Sequence, residues 1–321
     1  MSTTFAYAVR HVTRFQYDSP VHESVMEVRL HPITDDIQIC HQFDLITDPP
    51  AHISAYQDYS NNQVHHFNIP GGHKSLTITT NSTVEVRMRP HLPVKLGESA
   101  WDELEREITD SDYYEMRMPS HFTHPTESLR SLAAELNVVR RDDPLSLIRE
   151  LNHSIFSYFD YVPQSTRVDS MIDEAISNRR GVCQDFTHIM IALLRQVGIP
   201  TRYVSGYLYH RKQDEDRSTD GASHAWIEAW LPQLGWVGFD PTNNRLAGER
   251  HIRIAVGRDY SDVPPTKGVY KGHPASKMDV AVHIASTTVP ISDDIPVKLP
   301  VYPKSIQRSD KQIQYQQQQQ Q

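Results

Sequence analysis

The chain has 321 residues, of which 38% are hydrophobic and 22% charged, and its formal net charge is −8 from 32 basic and 40 acidic side chains. That is enough apolar material for about two packed domains, and the balance excludes bulk disorder. The acidic surplus argues against a nucleic-acid or anionic-membrane surface as the main partner, and no apolar run approaches the ~20 residues that span a bilayer.

The opening stretch, MSTTFAYAVRHVTRFQYDSP, has no basic-then-apolar leader and no small-residue cleavage pattern, which predicts a cytoplasmic protein. Cys40 and Cys183 are the only cysteines, too few for a disulfide framework.

The first ~95 residues read as short strands rich in β-branched and aromatic side chains. These are Phe5 to Val9, Val12 to Tyr17, Val25 to His31, Cys40 to Ile46, Gln63 to Ile69 and Leu76 to Val86. Breakers separate them, among them Asp18-Ser19-Pro20, Pro49-Pro50, Ser60-Asn61-Asn62 and Pro70-Gly71-Gly72. The regular spacing predicts a β-sandwich.

Helical periods start after Pro90 to Gly97. Asp102 to Ile108 and Pro125 to Leu136 are candidate helices. Asp143-Pro144 is a good helix start, because proline costs no hydrogen bond at the first helical position, and Leu147, Ile148, Leu151, Ile155 and Phe159 follow as its buried stripe. Ser170 with Asp173 resembles a capping box. The strongest helix runs from about Val182 to Val197, with Phe186, Ile189, Met190, Leu193 and Leu194 on its apolar face, and Gly198 and Pro200 end it. Strands are expected at Thr201 to Tyr209, Ala222 to Leu231 and Trp236 to Asp240, and one more at Met278 to Ile284. Gln316 to Gln321 is low-complexity and expected to be disordered. Helices followed by strands point to an α+β second unit. The expected organisation is therefore an N-terminal β-sandwich domain over 1–95, a core over 96–275, and a C-terminal strand with a polyglutamine tail over 276–321.

Cys183 opens the strongest helix, just after Gly181. Free N–H groups and the dipole at a helix start favour negative charge, which biases a cysteine there toward thiolate and supplies donors for an oxyanion. Position alone favours the plainer reading, a small buried thiol at the head of a core helix. A base is needed, and there are 18 histidines to choose from. The hairpin turning at Pro232 to Gly235 selects one. Pairing Trp230 with Trp236 puts His224 and Asp240 opposite or diagonal on one face, within reach of an imidazole–carboxylate hydrogen bond. Asp240 would then orient His224, as the third member of a triad does.

The surrounding residues are distinctive. GVCQDFTHIMIALLRQVGIPTRYVSGYL, SHAWIEAWLPQLGWVGFDPTNN and HIRIAVGRDYSDVPPTKGVYKG resemble the transglutaminase-like superfamily. RHVTRFQYDSPVHESVMEVRLHP is similar to the opening of its bacterial branch, which carries an extra N-terminal β domain. The resemblance spans about Tyr7 to Gly272. It implies a papain-like core, with nucleophile, general base and orienting acid on Cys183, His224 and Asp240, the trio that the spacing selects.

The expected activity is thiol chemistry on protein or peptide amides through a thioester, resolved by water or by an amine. The alternative is a catalytically silent peptide-binding scaffold on the same fold. Among the neighbours, His188 is expected to be structural, and Trp226 either shields the His–Asp bond or belongs to the core. Tyr207 and Trp236 are either cleft or core residues. No cofactor or metal is expected: His65 and His66 point to opposite faces of a strand, and no His-Glu-x-x-His or paired Cys-x-x-Cys motif occurs. Gly71-Gly72 reads as a turn rather than a phosphate loop. The sequence leaves the oligomeric state open.

Overall fold

The computed structural model describes residues 3–287 except 90, 110, 111, 212 and 273; the glutamine tail lies outside the described residues. The first unit is built on β1 (Thr4–Val28), β2 (Gln38–Asp48), β3 (Ile53–Gln57) and β4 (Gln63–Arg87). The short strands expected before and after Asp18-Ser19-Pro20 are fused into β1, and those flanking Pro70-Gly71-Gly72 into β4. The breakers survive as slips in the ladder: the β1–β4 register shifts between Gln16 and Val21 and again between His22 and Ser24. Proline removes one ladder donor but need not end a strand when a bulge absorbs the defect.

At these slips the sheet folds over. Phe43 on β2 pairs with Ser82, which is 17 residues along β4 from His65. A straight strand would separate those levels by about 55 Å. The Phe43 and His65 rings nonetheless lie 5.0 Å apart. The two halves of the sheet therefore face each other as a sandwich, closed over Phe15, Met26, Val28, Phe67, Leu76 and Ile78.

The second unit contains α1 (Ala100–Thr109), α2 (Glu127–Glu135), α3 (Pro144–Tyr158), α4 (Ile172–Asn178) and α5 (Cys183–Gln196), with short 3₁₀ turns between α1 and α2. Two-residue strands β5 (Asp160–Tyr161) and β6 (Arg180–Gly181) pair beside the start of α5. Asp143 caps α3 by accepting from the amides of Leu145 and Ser146, worth about 1 kcal/mol. The cap expected at Ser170 is not formed. Met171 is the N-cap of α4; Ser170 Oγ instead accepts from Arg167 N, and Asp173 accepts from Ser128 Oγ of α2. A tertiary partner has displaced the local one.

The helices pack on an antiparallel sheet of β7 (Thr201–Leu208), β8 (His224–Leu231), β9 (Gly235–Asp240), β10 (Arg245–Leu246) and β11 (His251–Gly257), ordered β10-β9-β8-β7-β11. Helix α5 is buried along Phe186, Ile189, Met190, Leu193 and Leu194, and Gly198 leaves it at φ 86°, a value that favours glycine. The chain then returns to the first unit. β12 (Thr266–Lys271) pairs with the second half of β1 and β13 (Ser276–Ser286) with the first half. The first sheet is thus completed by strands from the far end of the chain, and β12 already belongs to it ahead of residue 275.

The units are joined at β11, an edge strand. Gln38 donates to the Arg253 carbonyl (2.8 Å) and accepts from its amide (2.8 Å); Asn62 does the same at Val256 (2.8 and 2.7 Å). Two buried side-chain amides thus take the place of a neighbouring strand. Arg253 also forms a two-bond pair with Asp35. Among the described residues no helix is long and apolar enough to cross a membrane.

Candidate active site

Cys183 is the first residue of α5 and is partly buried. The turn before it is fixed by Asp185, whose carboxylate reaches back to accept from Val182 N (2.8 Å) and from Thr166 Oγ1 (2.5 Å). Burial raises the Asp185 carboxyl to about 6, against the pull of those hydrogen bonds. A Cβ on Gly181 would lie 2.8 Å from Asp185 Oδ2 and 2.9 Å from its Cβ, so glycine is needed for this close approach. Asp185 is thus the cap that shapes the turn ahead of Cys183.

His224 opens β8 and Asp240 closes β9, with Trp230 paired to Trp236 between them. That register puts the two diagonal, and His224 Nε2 lies 2.8 Å from Asp240 Oδ2. Both side chains are buried. Thr242 N and Asn243 N donate to Asp240 Oδ1 at 3.0 and 3.2 Å, and Asn243 Nδ2 donates to Oδ2 at 2.7 Å. Burial would raise the Asp240 carboxyl, but the charge and hydrogen bond of His224, with His251 adding to them, hold it far below the ordinary carboxylate range. For His224, burial acts to lower the pKa. The Asp240 charge and hydrogen bond outweigh it, with a further contribution from Cys183, and carry it up to about 10. His224 Nδ1, the other ring nitrogen, is buried without a formed hydrogen bond, and the thiol of Cys183 is the other side chain that raises the ring's pKa. Such contacts are commonly loose before substrate binds.

Sequence reasoning missed two residues here. One is Asn243, which also accepts from Arg217 N (2.8 Å) and Ser218 N (3.2 Å) and so ties the preceding loop to the site. The other is His251 at the start of β11, whose Nε2 lies 3.2 Å from Asp240 Oδ2. Trp226 supports it: the indole meets the His251 ring edge-on at 5.0 Å, and the His224 ring centroid is 6.0 Å away. The indole fits because residue 206 is glycine. A Cβ on Gly206 would sit 2.6 Å from Trp226 Cη2 and 2.2 Å from the Ile252 carbonyl oxygen.

His224, Asp240 and His251 converge closely enough to raise the question of a metal ion. The donor set does not fit one. Gly248 N–H points at His251 Nδ1 (3.2 Å), so the ring proton belongs on Nε2, the atom a metal would need bare. A small, half-open pocket is lined by Arg89, Trp226, Glu228, His251 and Arg253 among others, and by neither Cys183 nor His224.

His188 accepts from Tyr260 N (3.1 Å) and stacks on Phe122, and burial lowers its pKa to about 3; it is a packed structural side chain. Tyr207 is buried with its hydroxyl 2.9 Å from His11 Nδ1, in the joint with the first unit. Trp236 packs against Trp230 and under Arg202. Tyr161 and Tyr203 are the aromatic residues that sense Cys183: burial raises both hydroxyls, and the thiol adds to the rise.

A cysteine at a helix start, facing a histidine and aspartate on an antiparallel sheet, defines the core of a thiol-enzyme class. Residues 130–241 match the model of the transglutaminase-like superfamily, and residues 7–85 that of the bacterial transglutaminase-like N-terminal region. An uncharacterized protein of Mycobacterium leprae is 36% identical over 278 residues, covering 86% of this chain and 97% of that protein. A protein-glutamine gamma-glutamyltransferase of Pseudomonas aeruginosa is 29% identical over 193 residues, 55% of this chain and 28% of that protein. The solved structure of a proposed cysteine protease from Cytophaga hutchinsonii has the same fold, with a TM-score of 0.71 at 21% identity over 91% of this chain and 93% of that one. The chain belongs to the transglutaminase-like superfamily, a thiol-enzyme family.

Proposed function

We propose that the protein is a thiol enzyme acting on protein or peptide amides, with Cys183 as nucleophile, His224 as general acid and base, and Asp240 as the residue that orients His224. The observation that carries this is the His224–Asp240 bond of 2.8 Å, which occupies Nε2 and leaves Nδ1 for the thiol.

The Cys183 sulfur attacks the carboxamide carbon, forming the C–S bond. The oxyanion that develops lies near the N–H groups at the start of α5. As the C–N bond breaks, His224 gives its proton to the departing ammonia or amine, leaving a thioester. Water or an amine then attacks, loses its proton to His224, and expels the thiolate. Water makes the reaction hydrolysis; an amine makes it acyl transfer. The names of the Pseudomonas and Cytophaga relatives favour one outcome each.

Incubation of the full chain with glutamine-containing peptides, with and without a primary amine, tests this by mass spectrometry. A gain of amine mass marks transfer and conversion of amide to acid marks hydrolysis. Cys183→Ala abolishes either while keeping the wild-type melting curve. Full turnover in that variant would sink the assignment. Absence of turnover together with an unreactive Cys183 would leave a peptide-binding scaffold.

A further inference from the structure

His251 lies outside the trio, yet it touches the same carboxylate oxygen as His224. Its protonation state follows from its partners. Gly248 N–H donates to Nδ1, so Nδ1 carries the lone pair and Nε2 the proton. Burial lowers the pKa of the ring against the opposite pull of Asp240, which keeps it neutral. His251 is therefore a neutral N–H donor aimed at an anion.

Asp240 Oδ2 thus receives three donors, from His224, Asn243 and His251, while two backbone amides hold Oδ1. The carboxylate has no free rotation left. The His251 ring is itself fixed by the edge of Trp226 and by its place on β11, where it pairs with Leu208 of β7. The other titratable groups around this centre are Cys183 on α5, Tyr161 on β5, His210 after β7 and Arg250 before β11. Arg250 is neutralised by Asp214 and Asp216, and Asp216 also faces His210.

We propose that His251 is a positioning residue for the thiol chemistry: its Nε2–H locks the Asp240 carboxylate, and through it the orientation in which His224 meets Cys183. This rests on the roles proposed above for Cys183 and His224, and it extends the trio by a fourth side chain from a strand two places removed from β8 in the sheet.

The test compares His251→Gln, which keeps an N–H donor near the same place, with His251→Leu and His251→Met, which do not. The readout is iodoacetamide alkylation of Cys183 in the full chain at pH 7, with Cys40 as internal standard. The apolar variants slow labelling roughly tenfold or more, while the glutamine variant stays within about threefold of wild type. Combined with His224→Ala, the apolar substitutions add less than about twofold, because both changes act through one imidazole. A residue that merely supports the fold would slow labelling equally in both backgrounds, and that result, or unchanged labelling in the apolar variants, overturns the proposal. If wild-type Cys183 reacts no faster than Cys40, the function proposed above fails by itself. The positioning role is then read from the ¹⁵N titration of the His224 imidazole. Its midpoint moves by about half a pH unit or more in the apolar variants but not in His251→Gln; a midpoint unmoved in all of them overturns the proposal.

Discussion

Asp240→Asn removes one charge and almost no volume, so it isolates the electrostatic part of the site. In the wild type, His224 is raised from 6.5 to about 10 because the Asp240 charge defeats burial. A rise of that size corresponds to on the order of 5 kcal/mol of preference for the charged imidazole, close to the roughly 3–5 kcal/mol lost when one partner of a buried pair is deleted. The group's pKa is raised on folding. Its stabilising contribution is therefore full below pH 6.5, falls as pH rises, and is gone once pH passes about 10. With asparagine in place, burial dominates and the ring is neutral at pH 7. Urea unfolding of both proteins from pH 6 to pH 10.5 should show a gap of about 3–5 kcal/mol at the acid end that narrows steadily toward the alkaline end. A gap that is constant with pH, or below about 1 kcal/mol throughout, would refute the view that Asp240 holds a buried imidazolium.

Two further outcomes follow from the local geometry. Gly206→Ala would drive a methyl group into Trp226 and the Ile252 carbonyl, and is expected to lower stability by about 2–4 kcal/mol in a urea titration; a loss under about 0.5 kcal/mol would show that the indole is not confined there. Asp185 has a carboxyl raised by burial from 3.8 to about 6, so its protonated form favours the fold and that contribution fades as pH rises through about 6. Asp185→Asn keeps an acceptor for Val182 N and Thr166 without the buried charge, so it should gain up to about 3 kcal/mol at pH 8 and nothing at pH 3.5; equal effects at both pH values would argue against a buried anion there.

The parts of this molecule that are legible in its sequence are those set by near neighbours. Helix α5 declares itself through its apolar stripe and its glycine stop. The His224–Asp240 contact follows from one tight hairpin, because a two-residue periodicity leaves little freedom once Trp230 faces Trp236. What was not legible depends on chain segments that meet from afar. Nothing local marks His251, since β11 pairs with β7, more than forty residues earlier, and the Trp226 indole against its ring has room only because residue 206 is glycine. The breakers in β1 and β4 look like strand ends locally, whereas the partner strands carry the ladder past them. Ser170 looks like a cap, yet Asp173 is held by Ser128 from another helix. The return of β12 and β13 to the first sheet is invisible for the same reason: alternation identifies a strand but not the neighbour it will choose.

Gln38 and Asn62 occupy backbone groups of β11 that would otherwise be open to pairing. An edge whose donors and acceptors are already spoken for cannot be lengthened, so neither an extended polypeptide nor a second copy of the chain can zip onto the core from that flank. Severed from its first ninety residues, the helical unit would present a bare, sticky border one strand long, ending at His251. The sandwich that looks like an appendage is in this sense a guard rail, keeping the strand that carries His251 from being captured by the very polymers the enzyme is proposed to handle.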